Sequence, residues 1–306
     1  MAFTPWYKEM SVYHIWPRSF CDGNGDGIGA LWGVLSKLDY IKSIGVDAIW
    51  FSPMYDSPND DNGYDIRDYR KIMEEFGTME DFDNLIKEAH SLGMKVLLDW
   101  VANHTARDAR WLKTKPADWY EREADGSAKV PWDWTDTAKL NYANHDVWRG
   151  QIQAMRFWVE QHNIDGFRCD MAMLVPIEFW QEASGVLHSI KPDIFFLAEA
   201  EELNLFDRAF DASYAWEIHH MMCDIAGGAR RVWDLRNTLY SDREKYPNSA
   251  IRMMFTSNHD ENSWSGSEFT RFGAALEVMT ALTFLWEASL PLIYTGQEVG
   301  YDHSFE

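Results

Sequence analysis

The sequence has few cysteines and few basic residues for a chain of 306 residues. The cysteines are Cys21, Cys169 and Cys223, and three thiols without regular spacing cannot build a closed disulfide framework. Lysine and arginine total 28 against 49 aspartate and glutamate residues, which leaves a net charge of −21. Because nucleic acid binding needs a basic patch that neutralises phosphates, this charge argues against nucleic acid as a partner. It is compatible with a neutral ligand.

Long apolar runs are also missing. No stretch reaches the roughly 18 apolar residues of a transmembrane helix, so we expect no membrane association. The first ten residues, MAFTPWYKEM, lack the apolar core of a signal peptide. We therefore expect a reduced, cytoplasmic protein; the alternative is a secreted form from which a signal has been removed. The histidines lack the clustered spacing of a zinc site, and we expect no organic cofactor.

What the sequence does contain is an alternation of short apolar segments and amphipathic ones. Eight apolar segments predict strands, at residues 11–16, 46–51, 95–101, 166–170, 194–198, 211–216, 252–257 and 291–295. Five segments between them predict helices, at residues 31–44, 78–92, 147–162, 176–190 and 269–287. Eight strands alternating with helices predict an α/β fold, the (β/α)8 TIM barrel, which commonly takes about 250 residues.

One long stretch interrupts this alternation. Between residues 105 and 142 the periodicity lapses, and the stretch is rich in Trp, Asp and Lys. A connection of this length inside a barrel is usually functional, so we expect a short inserted subdomain after the third strand. The expected division is residues 1–104 for the first part of the catalytic barrel, 105–142 for the insertion and 143–306 for the remainder of the barrel.

Three carboxylates close predicted strands. Asp170, Glu199 and Asp260 follow the fourth, fifth and seventh strands. In a TIM barrel the C-terminal ends of the strands converge on one face, so these three side chains should share one site. Arg168 lies two residues before Asp170, and in a strand that spacing puts both side chains on the same face. His259 directly precedes Asp260.

Four motifs, in this order, resemble the conserved regions of the α-amylase family of glycoside hydrolases. They are D-x-x-x-N-H at residues 99–104, G-F-R-x-D at 166–170, a glutamate at 199 and N-H-D at 258–260. Residues 1–94 are more similar to the oligosaccharide-type glucosidases of the family, and residues 95–306 to its short-insertion α-amylases. The sequence stops before a full eighth helix and before the separate β domain that most members of the family carry.

The resemblance implies a retaining hydrolase that cleaves α-glucosidic bonds of starch-like α-glucans or malto-oligosaccharides by double displacement. Such chemistry needs a nucleophilic carboxylate and a proton-donating one, about 5–5.5 Å apart. Asp170 is the expected nucleophile, kept ionised by Arg168. Glu199 is the expected acid/base, because an apolar strand and neighbouring carboxylates raise a carboxyl pKa. Glu201 and Glu202 are the nearby alternatives.

Other residues are expected to hold the sugar. By the resemblance, Tyr64 is a platform that stacks on the sugar undergoing cleavage, and Asp61 accepts a sugar hydroxyl. His104 and His259 would donate hydrogen bonds to the same sugar, Arg168 belongs to this binding group, and Asp260 would favour the distorted ring of the transition state. Three tryptophans of the insertion either stack on sugars or form its own small core: Trp111, Trp132 and Trp134.

A loop after the first strand resembles the start of a calcium-binding loop. Oxygen-bearing side chains alternate at Asp22, Asn24 and Asp26, and the Ile28 carbonyl follows; calcium prefers such hard oxygen ligands. The rest of an EF-hand pattern is missing, because the twelfth position is Gly33 rather than glutamate. Two interpretations stay open: a weakly held Ca²⁺ ion on these four groups, or a glycine-rich turn without a metal.

Two further functions are compatible with the same motifs. A transglycosylase shares all of these residues and differs only in which acceptor reaches the intermediate. A non-catalytic sugar-binding or scaffold protein could keep the barrel, but it would have no need of all three carboxylates.

The incomplete eighth helix leads to one more expectation. Apolar surface around the first and eighth strands, including some of Leu290, Leu292 and Ile293, would lack its usual cover. It would either stay open or be covered by the aromatic segment at residues 3–7.

Overall fold

A computed structural model describes residues 5–304 of the chain. Within that range twelve strands follow in chain order: β1 (Val12–Ile15), β2 (Ala48–Phe51), β3 (Tyr55–Asp56), β4 (Asp68–Ile72), β5 (Lys95–Val101), β6 (His104–Ala106), β7 (Thr137–Lys139), β8 (Gly166–Asp170), β9 (Phe195–Ala198), β10 (Ala212–Tyr214), β11 (Ile251–Met254) and β12 (Ser289–Tyr294). The α-helices of the same range are α1 (Pro17–Phe20), α2 (Leu31–Leu35), α3 (Leu38–Ile44), α4 (Met79–Ser91), α5 (Arg110–Thr114), α6 (His145–His162), α7 (Ile177–Ile190), α8 (Trp216–Ala226), α9 (Val232–Lys245), α10 (His259–Trp264), α11 (Glu268–Phe272) and α12 (Leu276–Leu285).

Eight of these strands close into a parallel barrel. Their order around the barrel is β1, β2, β5, β8, β9, β10, β11 and β12, which returns to β1. Each barrel strand therefore lies beside the preceding barrel strand in the chain, as expected when helical crossovers connect parallel neighbours. This confirms the predicted (β/α)8 barrel. The pairs β3–β4 and β6–β7 are separate antiparallel ribbons.

Side chains of the barrel strands alternate between two cores, because successive residues of a strand face opposite sides. In β5, Leu97 packs in the cluster that fills the barrel interior, whereas Leu98 and Trp100 pack in the layer between barrel and helices. The next inward position is Asp99, which is as buried as its apolar neighbours. The interior therefore changes from apolar to charged towards the C-terminal ends of the strands.

Local signals in the sequence set some of the helix ends. Thr78 and Asp81 form a capping box at the start of α4. Two predicted helices are divided in the structure. Residues 31–44 form α2 and α3, and the hydroxyl of Ser36 at the break donates to the Gly33 carbonyl at 2.7 Å, an alternative to helical pairing. Residues 269–287 are divided because Gly273 ends α11 with a positive φ of 49°.

The segment between β5 and α6 has a small core of its own. Strands β6 and β7 pair within it, and Trp119, Tyr120 and Leu140 are buried together there. Trp111 packs on this cluster, with its ring 5.2 Å from that of Trp119. The expectation of an insertion core therefore holds for Trp111. Trp132, in contrast, is 63% exposed.

The aromatic segment near the N-terminus packs at a different place from the expected one. The rings of Trp6 and Tyr7 lie 6.0 and 5.1 Å from the ring of Phe195 at the start of β9. Tyr7 also donates a hydrogen bond to Asp211 at 3.0 Å. These two residues therefore cover the N-terminal mouth of the barrel rather than the surface between the first and eighth strands. Phe3 lies outside the described residues.

The expected apolar gap is also mostly absent from the last barrel strand. Leu290 and Leu292 are each 1% exposed because they point into the barrel interior, so the expectation is wrong for both. Ile293 is half-buried and packs against the layer under the helices. Within residues 5–304, no helix is both long and apolar enough to cross a membrane.

Asp165, just before β8, contacts several basic side chains at the N-terminal side of the barrel. Its carboxylate lies 2.6 Å from His90 Nε2, 3.0 Å from Lys95 Nζ and 2.9 Å from Lys191 Nζ. It also accepts the backbone N–H of Val96 at 3.0 Å. Burial raises the pKa of Asp165, but the hydrogen bond from His90 and the charge of Lys191 outweigh burial and lower the pKa below its ordinary value.

We predict that Asp165→Asn destabilises the protein by about 3 kcal/mol, at the lower end for a broken buried ion pair, because the cations are partly solvated. The melting temperature should fall by about 5 °C at neutral pH. Because the folded-state pKa is lowered, the stabilisation is present above the unfolded pKa of about 3.9 and is lost as pH falls below it. The difference between mutant and wild type should therefore shrink in acid.

Thermal unfolding across pH measures this difference. Glu160→Gln is the matched control, since its carboxylate makes an exposed ion pair with Arg156 one helical turn away and such pairs contribute about 0.3–0.5 kcal/mol. A constant difference from neutral pH to acid would contradict the assignment of an ionised Asp165.

Candidate active site

A cleft of about 380 Å³ opens at the C-terminal ends of the barrel strands. Eight of its lining residues are ones that the sequence singles out: Asp61, Tyr64, His104, Trp134, Asp170, Glu199, His259 and Asp260. Met171 and Trp264 complete the lining. Residues at or beyond the C-terminal ends of the barrel strands β2, β5, β8, β9 and β11 thus meet in one place, as parallel strand ends require.

Arg168 lies beneath this cleft and joins three carboxylates. Its Nη1 donates to Asp99 Oδ1 at 2.9 Å and to Asp170 Oδ1 at 3.0 Å. Its Nη2 lies 2.7 Å from Glu199 Oε2, and its Nε donates to the Tyr214 hydroxyl at 3.2 Å. The guanidinium is almost completely buried. Charge-assisted bonds of this kind fix the orientation of both partners, so Arg168 sets where Asp170 and Glu199 point.

Burial dominates the electrostatics of the carboxylates. It raises the pKa of Glu199 to about 8, against the lowering influence of Arg168, and the negative charges of Asp170 and Asp260 add to the rise. Burial likewise raises the pKa of Asp170 to about 7. Arg168 lowers the pKa of Asp170, as the sequence predicts, but burial outweighs it. The expected influence of Arg168, which favours the ionised form of Asp170, is therefore present, but the net pKa of Asp170 is raised and not lowered.

The backbone bends sharply where β8 ends. Met171 adopts a left-handed conformation, with φ 42° and ψ 48°, which is unfavourable for a residue with a side chain. In this conformation its N–H donates to Glu199 Oε2 at 2.9 Å. The bend therefore places a second donor on the carboxyl group that Arg168 also contacts.

Tyr64 and His259 form one wall of the cleft. Their rings are parallel, with centroids 5.6 Å apart, and the Tyr64 hydroxyl lies 2.8 Å from His259 Nε2. The same hydroxyl donates to Asp99 Oδ2 at 3.1 Å. Burial lowers the pKa of His259 to about 4, so the ring is neutral at physiological pH.

His104 and Asp61 lie on other sides of the cleft. His104 Nε2 is buried and has no hydrogen-bond partner among the described residues, and burial lowers the pKa of this ring to about 4. A neutral imidazole with a free nitrogen can bind a hydroxyl group. Burial and the charge of Asp65 raise the pKa of Asp61 to about 6.

A layer of residues below Arg168 is not evident from the sequence. The Trp50 indole donates to Asp99 Oδ2 at 3.2 Å, and the Arg168 guanidinium lies 5.1 Å from the centre of the Trp50 ring. The His14 ring stacks on Trp50 at 3.6 Å. The strand register that sets His14 beside Trp50 is the only sequence-level signal, and it becomes visible once β1 and β2 are aligned.

The alternative acids lie elsewhere. Glu201 accepts a bond from Arg252 Nη2 at 2.6 Å and does not line the cleft. The Glu202 carboxylate accepts a hydrogen bond from the backbone N–H of the adjacent Glu201 at 3.1 Å. Of the three glutamates that the sequence offers, the structure places Glu199 alone at the cleft.

The loop proposed for calcium closes on itself. Asp22 accepts the backbone N–H groups of Gly25 and Gly27 at 2.7 and 2.8 Å, and Asn24 donates to Asp26 at 2.7 Å. Among residues 5–304, no group of three or more His, Cys, Asp or Glu side chains is arranged to hold a metal. The loop holds its shape through its own hydrogen bonds, and a Ca²⁺ ion on Asp22, Asn24, Asp26 and the Ile28 carbonyl stays a prediction. None of these residues lines the cleft.

Comparisons with known proteins agree with this geometry. Residues 14–138 and 131–305 match the family model described as alpha amylase, catalytic domain. An oligo-1,6-glucosidase of Bacillus cereus is 32% identical over 96% of this chain and 66% of its own length. A probable oligo-1,6-glucosidase 3 of Bacillus subtilis is 41% identical over the same shares. An alpha-amylase structure from Lactobacillus plantarum is 30% identical, with a TM-score of 0.88 over 97% of this chain and 74% of that chain. The chain thus spans just under two thirds of the length of these two curated relatives.

Proposed function

Because the chain belongs to the α-amylase family of glycoside hydrolases, we propose that it is a retaining glycosidase that hydrolyses α-glucosidic bonds of α-glucans or malto-oligosaccharides. The observation that carries this proposal is the contact of one guanidinium with both Asp170 and Glu199 at the base of the cleft. Two carboxyl groups held side by side, with different proton affinities, are what double displacement needs.

The proposed reaction proceeds in two steps. In the first, an Asp170 oxygen attacks the anomeric carbon while Glu199 gives its proton to the glycosidic oxygen, so that the leaving sugar departs with a hydroxyl group. In the second, Glu199, now a carboxylate, takes a proton from water, and the resulting oxygen displaces Asp170 from the anomeric carbon. Both side chains return to their starting protonation states.

The charges of the site support this assignment of roles. Asp99, Asp170 and Glu199 surround a single guanidinium, so ionisation of all three would leave two uncompensated negative charges in a buried place. One shared proton is therefore favourable near neutral pH. Burial raises the pKa of both groups, and the charge of Asp170 raises that of Glu199 further, so the shared proton is assigned to Glu199 and is available there for donation.

The remaining residues of the cleft fit a neutral sugar. Tyr64 presents an aromatic ring, and His104 Nε2 and His259 Nδ1 have no protein partner among residues 5–304. We propose that both histidines bind sugar hydroxyls, that Asp61 accepts one, and that Asp260 stabilises the positive charge that develops on the distorted ring. The three free cysteines support the proposal of a reducing, cytoplasmic location.

Product analysis tests the proposed function and the bond preference. Maltoheptaose offers α-1,4 bonds, isomaltotriose offers α-1,6 bonds, and pullulan contains both. The curated relatives are named oligo-1,6-glucosidases, whereas the structural relative is an alpha-amylase. The names of the relatives therefore do not decide the bond preference, and all three substrates are needed. Proton NMR of the first products should show the α-anomer. Initial formation of the β-anomer would contradict retention, longer oligosaccharides among the products would indicate a transglycosylase, and binding without turnover would indicate a scaffold protein.

We predict a bell-shaped dependence of kcat/KM on pH, because this parameter reports the pKa values of the free enzyme. Asp170 must be ionised to attack, so activity should fall as pH drops below its raised pKa of about 7. Glu199 must carry a proton, so activity should fall as pH rises above about 8. The maximum should lie between these values. Rates on maltotriose over roughly pH 5–10 measure both limbs, and a profile that stays flat on the alkaline side would contradict the role of Glu199.

A further inference from the structure

Trp132 is an exposed aromatic residue in an unfavourable backbone conformation. Its side chain is 63% exposed, and its φ is 51°. A tryptophan in the left-handed region is costly and persists where the surrounding structure requires it. The surrounding structure here is a tight turn closed by the Trp134 N–H, which donates to the Pro131 carbonyl at 3.1 Å. The turn therefore holds an indole ring out in solvent.

A row of aromatic rings leads from the catalytic cleft to Trp132. The His104 ring, which lines the cleft, is 5.4 Å from the Trp134 ring. Trp134 also lines the cleft, and its ring is 4.8 Å from that of Trp132 at an angle of 68°. Trp132 is therefore one ring further from the carboxylates than the residues that line the cleft.

A second cavity of about 290 Å³ adjoins Trp132. Its lining residues are Asn103, Lys129, Pro131, Trp132, Lys139 and Leu174. Two of these lining residues are close in sequence to residues of the catalytic cleft. Asn103 directly precedes His104, and Leu174 follows Asp170 by four residues. The cavity is thus lined in part by close sequence neighbours of residues in the proposed active site.

The chemistry of this cavity fits a neutral sugar better than an anion or a metal ion. Lys129 and Lys139 both pair with Glu121, at 3.0 and 2.9 Å, so their charges are partly neutralised within the protein. Two ammonium groups beside Asn103 also repel a cation. What remains is the exposed indole face of Trp132, which suits the C–H face of a pyranose, and the ammonium donors of the two lysines, which suit hydroxyl groups.

We propose that Trp132 is an outer platform that binds one further glucose unit of an α-glucan chain, beyond the sugars held in the catalytic cleft. This inference rests on the proposed function and extends it, since it makes chain length a determinant of specificity. Trp132 would favour longer oligosaccharides through contacts that short ones cannot reach. Binding energy from such remote contacts improves kcat/KM for the longer substrate.

The dependence of kcat/KM on chain length tests the proposal. Trp132→Asn removes the ring and keeps a residue that tolerates the left-handed conformation, so folding should be preserved. For maltoheptaose, kcat/KM should fall by roughly 3- to 10-fold, the equivalent of one aromatic contact. For 4-nitrophenyl α-glucoside, which carries a single glucose, the wild-type and variant values should agree. Trp132→Phe keeps an aromatic face and should lose less on maltoheptaose.

Trp233→Ala is the matched control, because Trp233 is similarly exposed, at 61%, on α9 and does not line either cavity. Equal effects of Trp132→Asn on short and long substrates, or no effect on either, would overturn the proposal. Calorimetric titration of each protein with maltose and maltoheptaose, carried out in the inactive Asp170→Asn background, gives a second readout that needs no turnover. If the wild-type protein binds maltoheptaose but hydrolyses nothing, the proposed function fails. If Trp132→Asn binds maltoheptaose as tightly as wild type does, the outer platform fails.

Discussion

Replacing Asp170 with asparagine should abolish nearly all turnover. The amide cannot form the covalent bond to the anomeric carbon, so the expected loss in kcat is on the order of 10⁴- to 10⁶-fold, as for other residues of a catalytic unit. Asparagine is almost isosteric with aspartate, and its carbonyl oxygen can still accept from Arg168 Nη1, now 3.0 Å from Asp170 Oδ1. The melting temperature should therefore stay near the wild-type value or rise, because a buried charge is removed.

Initial rates on an activated α-glucoside measure this loss, and thermal unfolding confirms the fold. Asp207→Asn is a suitable control, since the side chain of Asp207 is exposed and does not line the cleft. Retention of more than a few percent of wild-type activity in Asp170→Asn would rule out Asp170 as the nucleophile. In Asp170→Gly, added azide should restore turnover and give a glycosyl azide, because the small anion can enter the vacated space.

Replacing Glu199 with glutamine should have an effect that depends on the leaving group. Without its proton donor, the enzyme should lose on the order of 10²- to 10⁴-fold in kcat/KM on malto-oligosaccharides. A 4-nitrophenolate leaving group needs no proton, so formation of the intermediate from 4-nitrophenyl α-glucoside should be much less affected. The alkaline limb of the pH profile should vanish with the group that titrates there.

Glu201→Gln provides the comparison for this variant, because Glu201 lies two residues further along and pairs with Arg252 outside the cleft. Its kcat/KM values should keep the wild-type ratio between the two substrates. If Glu199→Gln lowered both substrates equally, or if Glu201→Gln showed the selective loss, Glu199 would not be the proton donor.

The barrel and the positions of its candidate catalytic carboxylates could be predicted because both follow from local patterns. The third and fourth strands, β5 and β8, have the bounds expected from their apolar runs. Parallel closure then brings the ends of separate strands to one face without further information. Asp170 and Glu199, which stand at strand ends, can therefore be placed together from their positions alone. Asp260 reaches the same cleft from α10, beyond the end of β11.

The contacts of Arg168 could not be predicted in the same way. Its spacing from Asp170 indicates a shared face, but the bonds to Asp99 and Tyr214 depend on the register between β5, β8 and the strands beyond. The size of the pKa shifts is also hidden from the sequence, because it depends on how completely the folded barrel excludes water. This is why burial, rather than the neighbouring charges, is the largest influence on both Asp170 and Glu199.

The predictions for the divided helices and for the position of the N-terminal segment were wrong for related reasons. At Ser36 a side chain competes with the helical backbone, and that competition leaves the apolar periodicity of residues 31–44 intact. Trp6 and Tyr7 carry an aromatic signal, but an aromatic segment fits any apolar surface. The partner in the structure, Phe195, is far away in the sequence. The Trp6 indole likewise donates to the carbonyl of Asp193, which lies 187 residues further along the chain.

The contacts of Arg168 also constrain how the protein folds. They join β5, β8, the end of β9 and the end of β10, so they link residues from Asp99 to Tyr214. Bringing such distant segments together requires loop closure, which is slow compared with helix formation. A partly folded chain with its helices formed but these four strands still apart would have neither the proposed proton donor nor the proposed nucleophile in place. Competence for catalysis therefore arises only with closure of this part of the barrel.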